Sequence, residues 1–312
     1  MIFAIRGVMV MLGFFGVLYC LLSVLTGCVW RGTNLLRRDS ASVTARLLFA
    51  IRIFPLAASA FITLAFALPA FLVLEPAAID EDVRTLVFSL GALSLLAAGV
   101  FRVLVAKAGA SRLLANWLKA APVPNPAAAG PTLPAKPGLP PLLLYGLSMP
   151  RVLVSETAMA LLSPDELRAA LRHELCHMRS RDNLKKLIVH GIPFPGMGSL
   201  ERAWQEAAEL AADEAAVSNS SQALDLAAAL IKLSDLVALQ KTPAFTSGLV
   251  NSAGLTKLRV ERLLDWHEPR RQPAHLHWLC LLALASVTVA YLAACHGQAL
   301  LFTHRITEWL IH

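Results

Sequence analysis

Charge is scarce in this chain. Only 16 % of its 312 residues are charged, and acids are the rarer sign, with 21 Asp and Glu against 28 Lys and Arg. A soluble domain usually carries about a quarter charged residues, so a surface wholly facing water is excluded. Cysteine is also rare. Cys20, Cys28, Cys280 and Cys295 sit in apolar runs, where Cys behaves as a small hydrophobe. Cys176 is the fifth, and no C-x-x-C pair occurs, which argues against a redox dithiol or a thiolate zinc module. The net charge of +7 calls for no nucleic acid. Lys and Arg gather beside apolar runs, as insertion next to anionic lipid requires.

Hydrophobicity is what the chain has in excess, at 56 % of residues and a mean hydropathy of +0.60. It is concentrated in four stretches, about 8–30, 53–74, 85–105 (interrupted by Arg102) and 278–295. Each approaches or reaches the ~20 residues that a helix needs to cross a bilayer. Arg31, Arg37, Arg38 and Arg46 lie between the first two stretches, whereas Glu75, Asp80, Glu81 and Asp82 lie between the second and third with Arg84 as the only base. Lys107, Arg112 and Lys119 follow the third, and Arg270 and Arg271 precede the fourth. The positive-inside rule then places the N-terminus outside, residues 107–275 in the cytoplasm and the C-terminus outside. Leu25-Thr26-Gly27-Cys28 looks like a lipoprotein processing box, and cleavage there would invert this order. It would also export four arginines, and the apolar run is longer than the 7–15 residues usual in a secretory signal, so the box reads as a decoy.

His173-Glu174-Leu175-Cys176-His177 is the motif that carries chemistry. Residues four apart lie on one face of a helix, so His173 and His177 can offer two imidazoles to one Zn²⁺, with Glu174 beside them. Cys176 lies off that face and reads as core packing. The stretch is helical by its own signals: Ser163-Pro164-Asp165-Glu166 is a capping box with Pro at the first helical position, and no breaker follows until about Arg181. A catalytic zinc needs three protein ligands and an open position. It lowers the pKa of water to about 7 and polarises a carbonyl, while a carboxylate such as Glu174 takes the proton. These residue types at this spacing point to metal-dependent peptide hydrolysis. The third ligand is open among Glu201, Glu206, Glu209 and Glu214. Glu209 and Asp213 share a face, and one of them can bind metal while the other supports a ligating His.

Residues 1–106 are thus expected to hold three transmembrane helices and 107–141 a linker, rich in Pro and Ala from Ala120. Residues 142–275 form the zinc metallopeptidase domain, and 276–312 the fourth transmembrane helix with a short extracytoplasmic tail. Leu142–Gly146 and Arg151–Ser155 read as a strand pair, 187–200 as an interfacial or re-entrant segment, and 200–217, 222–240 and 253–266 as helices.

Several segments together resemble the integral-membrane zinc peptidases of the BlaR/MecR type, bacterial receptors that sense β-lactams and inactivate a repressor. They are Pro150-Arg151-Val152-Leu153-Val154, Leu162-Ser163-Pro164-Asp165-Glu166-Leu167, the His173–His177 motif followed by Arg179, Arg181, Asp182 and Asn183, and Glu209 through Asp213-Glu214-Ala215. The resemblance implies a mainly α membrane protein of the bacterial cytoplasmic (inner) membrane. Four transmembrane helices would carry a cytoplasmic zincin-like (gluzincin) α+β peptidase domain between the third and fourth. It also implies zinc on His173, His177 and Glu209, Glu174 as base, Asp213 in support of a ligand, and a protein substrate such as a cytosolic transcriptional repressor. No S-x-x-K or K-T-G motif occurs and only a short tail follows Cys295, so direct β-lactam sensing does not carry over. The prenyl-protein endopeptidases and the heat-shock membrane peptidase share the same signature and imply a processing or quality-control role instead. A non-catalytic membrane scaffold is a third reading, against which an intact Glu174 weighs.

The charge pattern makes one expectation directly measurable. A reporter fused after Leu118 or Asp265 should read cytoplasmic, and one fused after Asp82 should read external. Opposite readings would revive the lipoprotein alternative.

Overall fold

The computed structural model describes residues 2–32, 40–74, 83–119, 132–133, 141–146, 151–237 and 253–267, with 297, 301–302 and 305–306 as isolated positions. Three described helices are long and apolar enough to cross a membrane: Phe3–Gly32, Ala41–Val73 and Val83–Arg112. They belong to α1 (Ile2–Gly32), to α2 (Ala41–Ile62) continued by a π-helical turn (Thr63–Ala67) and α3 (Leu68–Leu74), and to α4 (Val83–Lys119). The fourth apolar stretch, 278–295, lies outside the described residues.

The chain divides into two compact units. The first contains α1, the helical run from Ile53 to Leu74 and α4 as far as Ala98. Pro55 interrupts the backbone ladder of α2. Ser59 Oγ donates to Pro55 O at 2.6 Å and Thr63 Oγ1 to Ser59 O at 2.8 Å, so both hydroxyls are satisfied inside the helix. Phe14 and Ala67, and Val10 and Phe71, pack inward. Val8, Leu21, Val29, Leu64, Val73 and Val87 are exposed. So much outward apolar surface is unfavourable in water and suits hydrocarbon.

The second unit contains Asn34–Arg52 and Gly99–Glu268, so the helices α2 and α4 each contribute one end to it. α4 continues as a helix through 107–119, where the linker was expected to begin, because AKAGASRLLANWLK contains good helix formers and no proline. A three-stranded sheet of order β1-β3-β2 follows, from β1 (Thr132–Leu133), β2 (Leu142–Tyr145) and β3 (Arg151–Ser155). The expected strand pair is present and antiparallel, with Leu143 opposite Leu153. β1 runs parallel to β3, with Thr132 opposite Val154, inside the stretch expected to be an extended linker. Leu142, Leu143 and Leu144 are all buried, so β2 is covered on both faces.

Helices α5 (Glu156–Leu161), α6 (Pro164–Ser180), α7 (Asp182–Gly191), α8 (Gly198–Ala216), α9 (Ser220–Val237) and α10 (Ala253–Leu264) complete the unit. α6 carries the expected reciprocal capping box between Ser163 and Glu166. Ala169, Ala170, Ala212, Ala216, Ala223 and Ala227 share one buried cluster. Small side chains let helices approach closely. Cys176 belongs to the same cluster, as expected of a core position. Within segment 187–200, residues as far as Gly191 complete α7, the connection 192–197 contains Gly196 at φ 88°, and α8 starts at Gly198. The acidic first turn at Asp182 and the 182–191 pattern favour a short amphipathic helix over an irregular loop.

The first part of α2 lies antiparallel to α8. Arg52 Nε donates to Glu201 Oε1 at 2.9 Å, the Phe49 and Trp204 rings lie 5.7 Å apart, and Glu214 bonds back to Ser40 and Ala41. Arg52 Nη2 also donates to Ile192 O. α4 meets the end of α7 through glycine, since a Cβ on Gly99 would run into the carbonyl oxygen of Gly191 and stand 3.1 Å from Pro193 Cδ. Backbone cannot move aside as a flexible side chain does. Gly99→Ala is therefore expected to lower stability by about 1–3 kcal/mol despite its better helix propensity, measured by thermal unfolding of the micelle-solubilised protein. Unchanged or raised stability would mean that the two backbones are not in this contact.

Candidate metal centre

His173 and His177 sit one turn apart on α6, both fully buried, with ring centroids 4.7 Å apart and planes at 82°. Their Nε2 atoms are 3.1 Å apart. Glu209 enters from α8, with Oε2 at 3.5 Å from His173 Nε2 and Oε1 at 3.6 Å from His177 Nε2. A zinc ion with bonds of about 2.0–2.1 Å at tetrahedral angles separates its ligand atoms by about 3.4 Å. Two imidazoles and a carboxylate at this spacing therefore fit zinc, and ligand atoms of the three residues all lie within 4.8 Å of one another.

Each imidazole is held from behind. His173 Nδ1 is 2.9 Å from Asp213 Oδ1, and His177 Nδ1 is 2.7 Å from Asp182 Oδ2. A carboxylate at Nδ1 selects the tautomer that leaves Nε2 free to ligate. Asp182 reaches His177 because the chain turns sharply between α6 and α7. Arg181 at that junction adopts φ 54°, ψ 39°, a left-handed conformation that costs an L-residue roughly 1–2 kcal/mol. Both supporting carboxylates are themselves paired: Asp182 Oδ1 lies 3.0 Å from Lys185 Nζ, and Asp213 takes Arg259 Nε and Nη2 at 2.7 Å each. Arg259 Nη1 is also 3.2 Å from Glu209 Oε2.

Glu174 is fully buried, and neither carboxyl oxygen has a hydrogen-bond partner among the described residues. Burial pushes its carboxyl up, and the neighbouring Glu209 adds to this, against the pull of His173 and His177. A buried carboxyl without a partner is costly unless it has a polar group to meet, and an ion with its water provides one. Burial opposes the ionised form of Glu209 as well, but His177, His173 and Arg259 outweigh it and hold the group well below the usual carboxylate range. His177 shows the converse: burial disfavours its charge, yet Glu209, Asp182 and Glu174 push it up to about 10.

The structure brings His173, Glu174, His177, Glu209 and Asp213 together. Of the other acids considered for the third ligand, Glu206 is exposed, Glu201 pairs with Arg52 and Glu214 with Arg262. Asp182, Lys185 and Arg259 had no assigned role in the sequence reading. Asp182 has a local signal, following His177 by five residues across a helix break. Arg259 has none, being 46 residues beyond Asp213.

Residues 144–199 match the profile of peptidase family M48, whose members are zinc metallopeptidases. The matched segment holds the motif helix and stops before Glu209. No curated protein matches the chain. With the His173–His177–Glu209 cluster completing that segment, the chain is a zinc-dependent metallopeptidase with helices fit to span a membrane.

Were His177 to hold zinc, a proton would compete with the metal for it. Its pKa is raised above the ordinary 6.5 to about 10, so zinc must displace a proton at neutral pH and less so as pH rises through 10. Apparent zinc affinity is expected to increase about tenfold per pH unit from pH 7 towards 10, measured by competition with a chelator whose own pH dependence is known. An affinity flat across that window would remove His177 from the ligand set.

Proposed function

We propose that this protein is a membrane-embedded zinc endopeptidase whose cytoplasm-facing site cuts a cytosolic protein in regulated proteolysis. The observation that carries the reading is Glu174, a buried carboxyl without a partner beside two oriented imidazoles and Glu209. In this reading His173, His177 and Glu209 hold the metal and Asp213 keeps His173 in its ligating tautomer. Zinc, when bound, supplies a Lewis acid for the scissile carbonyl and lowers the pKa of the attacking water. Glu174 takes the proton from that water and delivers it to the leaving amine nitrogen. Burial and Glu209 favour its protonated form after the first transfer.

A signalling role is supported by the continuity of the spanning helices with the peptidase unit, which shares α2 as far as Arg52 and α4 from Gly99. A repressor-like substrate follows the BlaR/MecR resemblance. The family M48 match supports the coarser activity and is equally compatible with processing or quality control of membrane-proximal proteins. A transcriptional response lost in cells carrying the inactive enzyme would support signalling. Accumulation of damaged membrane proteins without such a response would support quality control.

Glu174→Gln keeps the size of the side chain and removes its basicity. Zinc content should stay unchanged, while hydrolysis of a cytosolic substrate, or self-cleavage within 107–275, falls by about 10²–10⁴-fold. Wild-type cleavage rates in a zinc-loaded Glu174→Gln protein cannot be reconciled with this mechanism.

A further inference from the structure

We propose that Arg259 is a positioning residue for zinc ligation, fixing from α10 both carboxylates that α8 brings to the site. This rests on the assignment of His173 and Glu209 as ligands and adds a residue that lies outside the motif and outside the matched segment. Arg259 is 0 % exposed. Its Nε and Nη2 grip the two oxygens of Asp213 at 2.7 Å each, a fork that only a planar guanidinium presents. The oxygen bound by Nη2 is also the one 2.9 Å from His173 Nδ1. Rotation of the Asp213 carboxylate would break both contacts, so Arg259 sets the orientation in which Asp213 meets the imidazole. Nη2 lies 3.4 Å from His173 Nε2 and 3.5 Å from Nδ1, and Nη1 lies 3.2 Å from Glu209 Oε2. One cation thus touches one proposed ligand's support, that ligand itself and a second ligand.

Among the described residues, no guanidinium fork clamps the carboxylate behind the other proposed histidine ligand. Asp182, behind His177, is backed by Lys185, whose side chain is 26 % exposed. A lysine ammonium is a mobile point charge that contributes no fork. Loss of Arg259 should therefore disturb the metal site far more than loss of Lys185, although both remove one positive charge.

The test uses the full-length protein in detergent micelles with zinc and with Co²⁺ as probes. Zinc affinity is measured by chelator competition, and the Co²⁺-loaded protein by its visible absorption. Arg259→Gln should weaken zinc binding about 10–100-fold, the range for loss of a group that orients a ligand, and should shift the cobalt bands. Lys185→Gln should change affinity by no more than about threefold, consistent with a partly exposed ion pair. Arg259→Lys keeps the charge without the fork and should fall between wild type and Arg259→Gln. It also serves if the glutamine variant does not fold. Because Arg259 acts through Asp213, Arg259→Gln/Asp213→Asn should bind zinc less weakly than the product of the two single effects. Wild-type zinc affinity and cobalt spectrum in Arg259→Lys or Arg259→Gln would overturn the proposal, as would full additivity in the double variant. A wild-type protein that binds no zinc would instead remove the ligand assignment, and the inference with it.

Discussion

The structure depends on burying ionisable groups where water cannot reach them. His173, Glu174, His177, Asp182, Glu209, Asp213 and Arg259 are all at 4 % exposure or less. An isolated charge in such a place costs several kcal/mol even after relaxation, so each must face a group of opposite demand. Asp213 faces His173 and Arg259, and Asp182 faces His177 and Lys185. Glu174 is left with nothing among the described residues to answer its oxygens. Glu209 Oε2 also lacks a hydrogen bond there, and buried oxygens left over in a paired network fit a site arranged for an ion and a reactant.

Close helix packing is what makes this network possible. Two candidate ligands on α6 and one on α8 come within range of a single ion only if the helix axes approach closely, and the alanine-rich cluster shared by α6, α8 and α9 provides for that. Larger side chains at Ala169, Ala170 or Ala212 would drive the helices apart, and the His–Glu separations near 3.5 Å would widen first. The same logic explains the left-handed Arg181. The chain accepts local strain at the α6–α7 junction, and the result is a carboxylate beneath His177.

Helices that meet the criteria for spanning a bilayer also take part in this packing. α2 lies along α8 from Arg52 at Glu201 to Ala41 near Glu214, flanking the turns that carry Glu209 and Asp213. α4 meets the end of α7 at Gly99, and Arg52 reaches the carbonyl of Ile192 in the connection to α8. The segment between the two ligand-bearing helices is therefore held by both.

Local interactions left a clear record in the amino-acid order. Hydropathy marks the apolar stretches of α1 to α4, and the i, i+4 histidines with Glu174 mark the chemistry. Ser163 and Glu166 mark the start of the motif helix. Each depends on neighbours within a turn or on bulk composition. The fourth stretch, 278–295, belongs to this reading and lies outside the described residues. Tertiary structure decided what depends on distant partners. The residues alone leave four acids for the third position, with Glu209 set apart by its shared face with Asp213, and the rotation of α8 against α6 buries Glu209 and exposes Glu206. β1 forms within a proline-rich run because β3 offers an edge to pair with. Residues 182–191 are helical because their amphipathic face finds a packing partner, which composition could not foretell. Arg259 has no signal of its own. An arginine on an ordinary helix becomes part of a metal centre only when α10 folds against α8, since a buried cation is tolerable only where two carboxylates are already waiting.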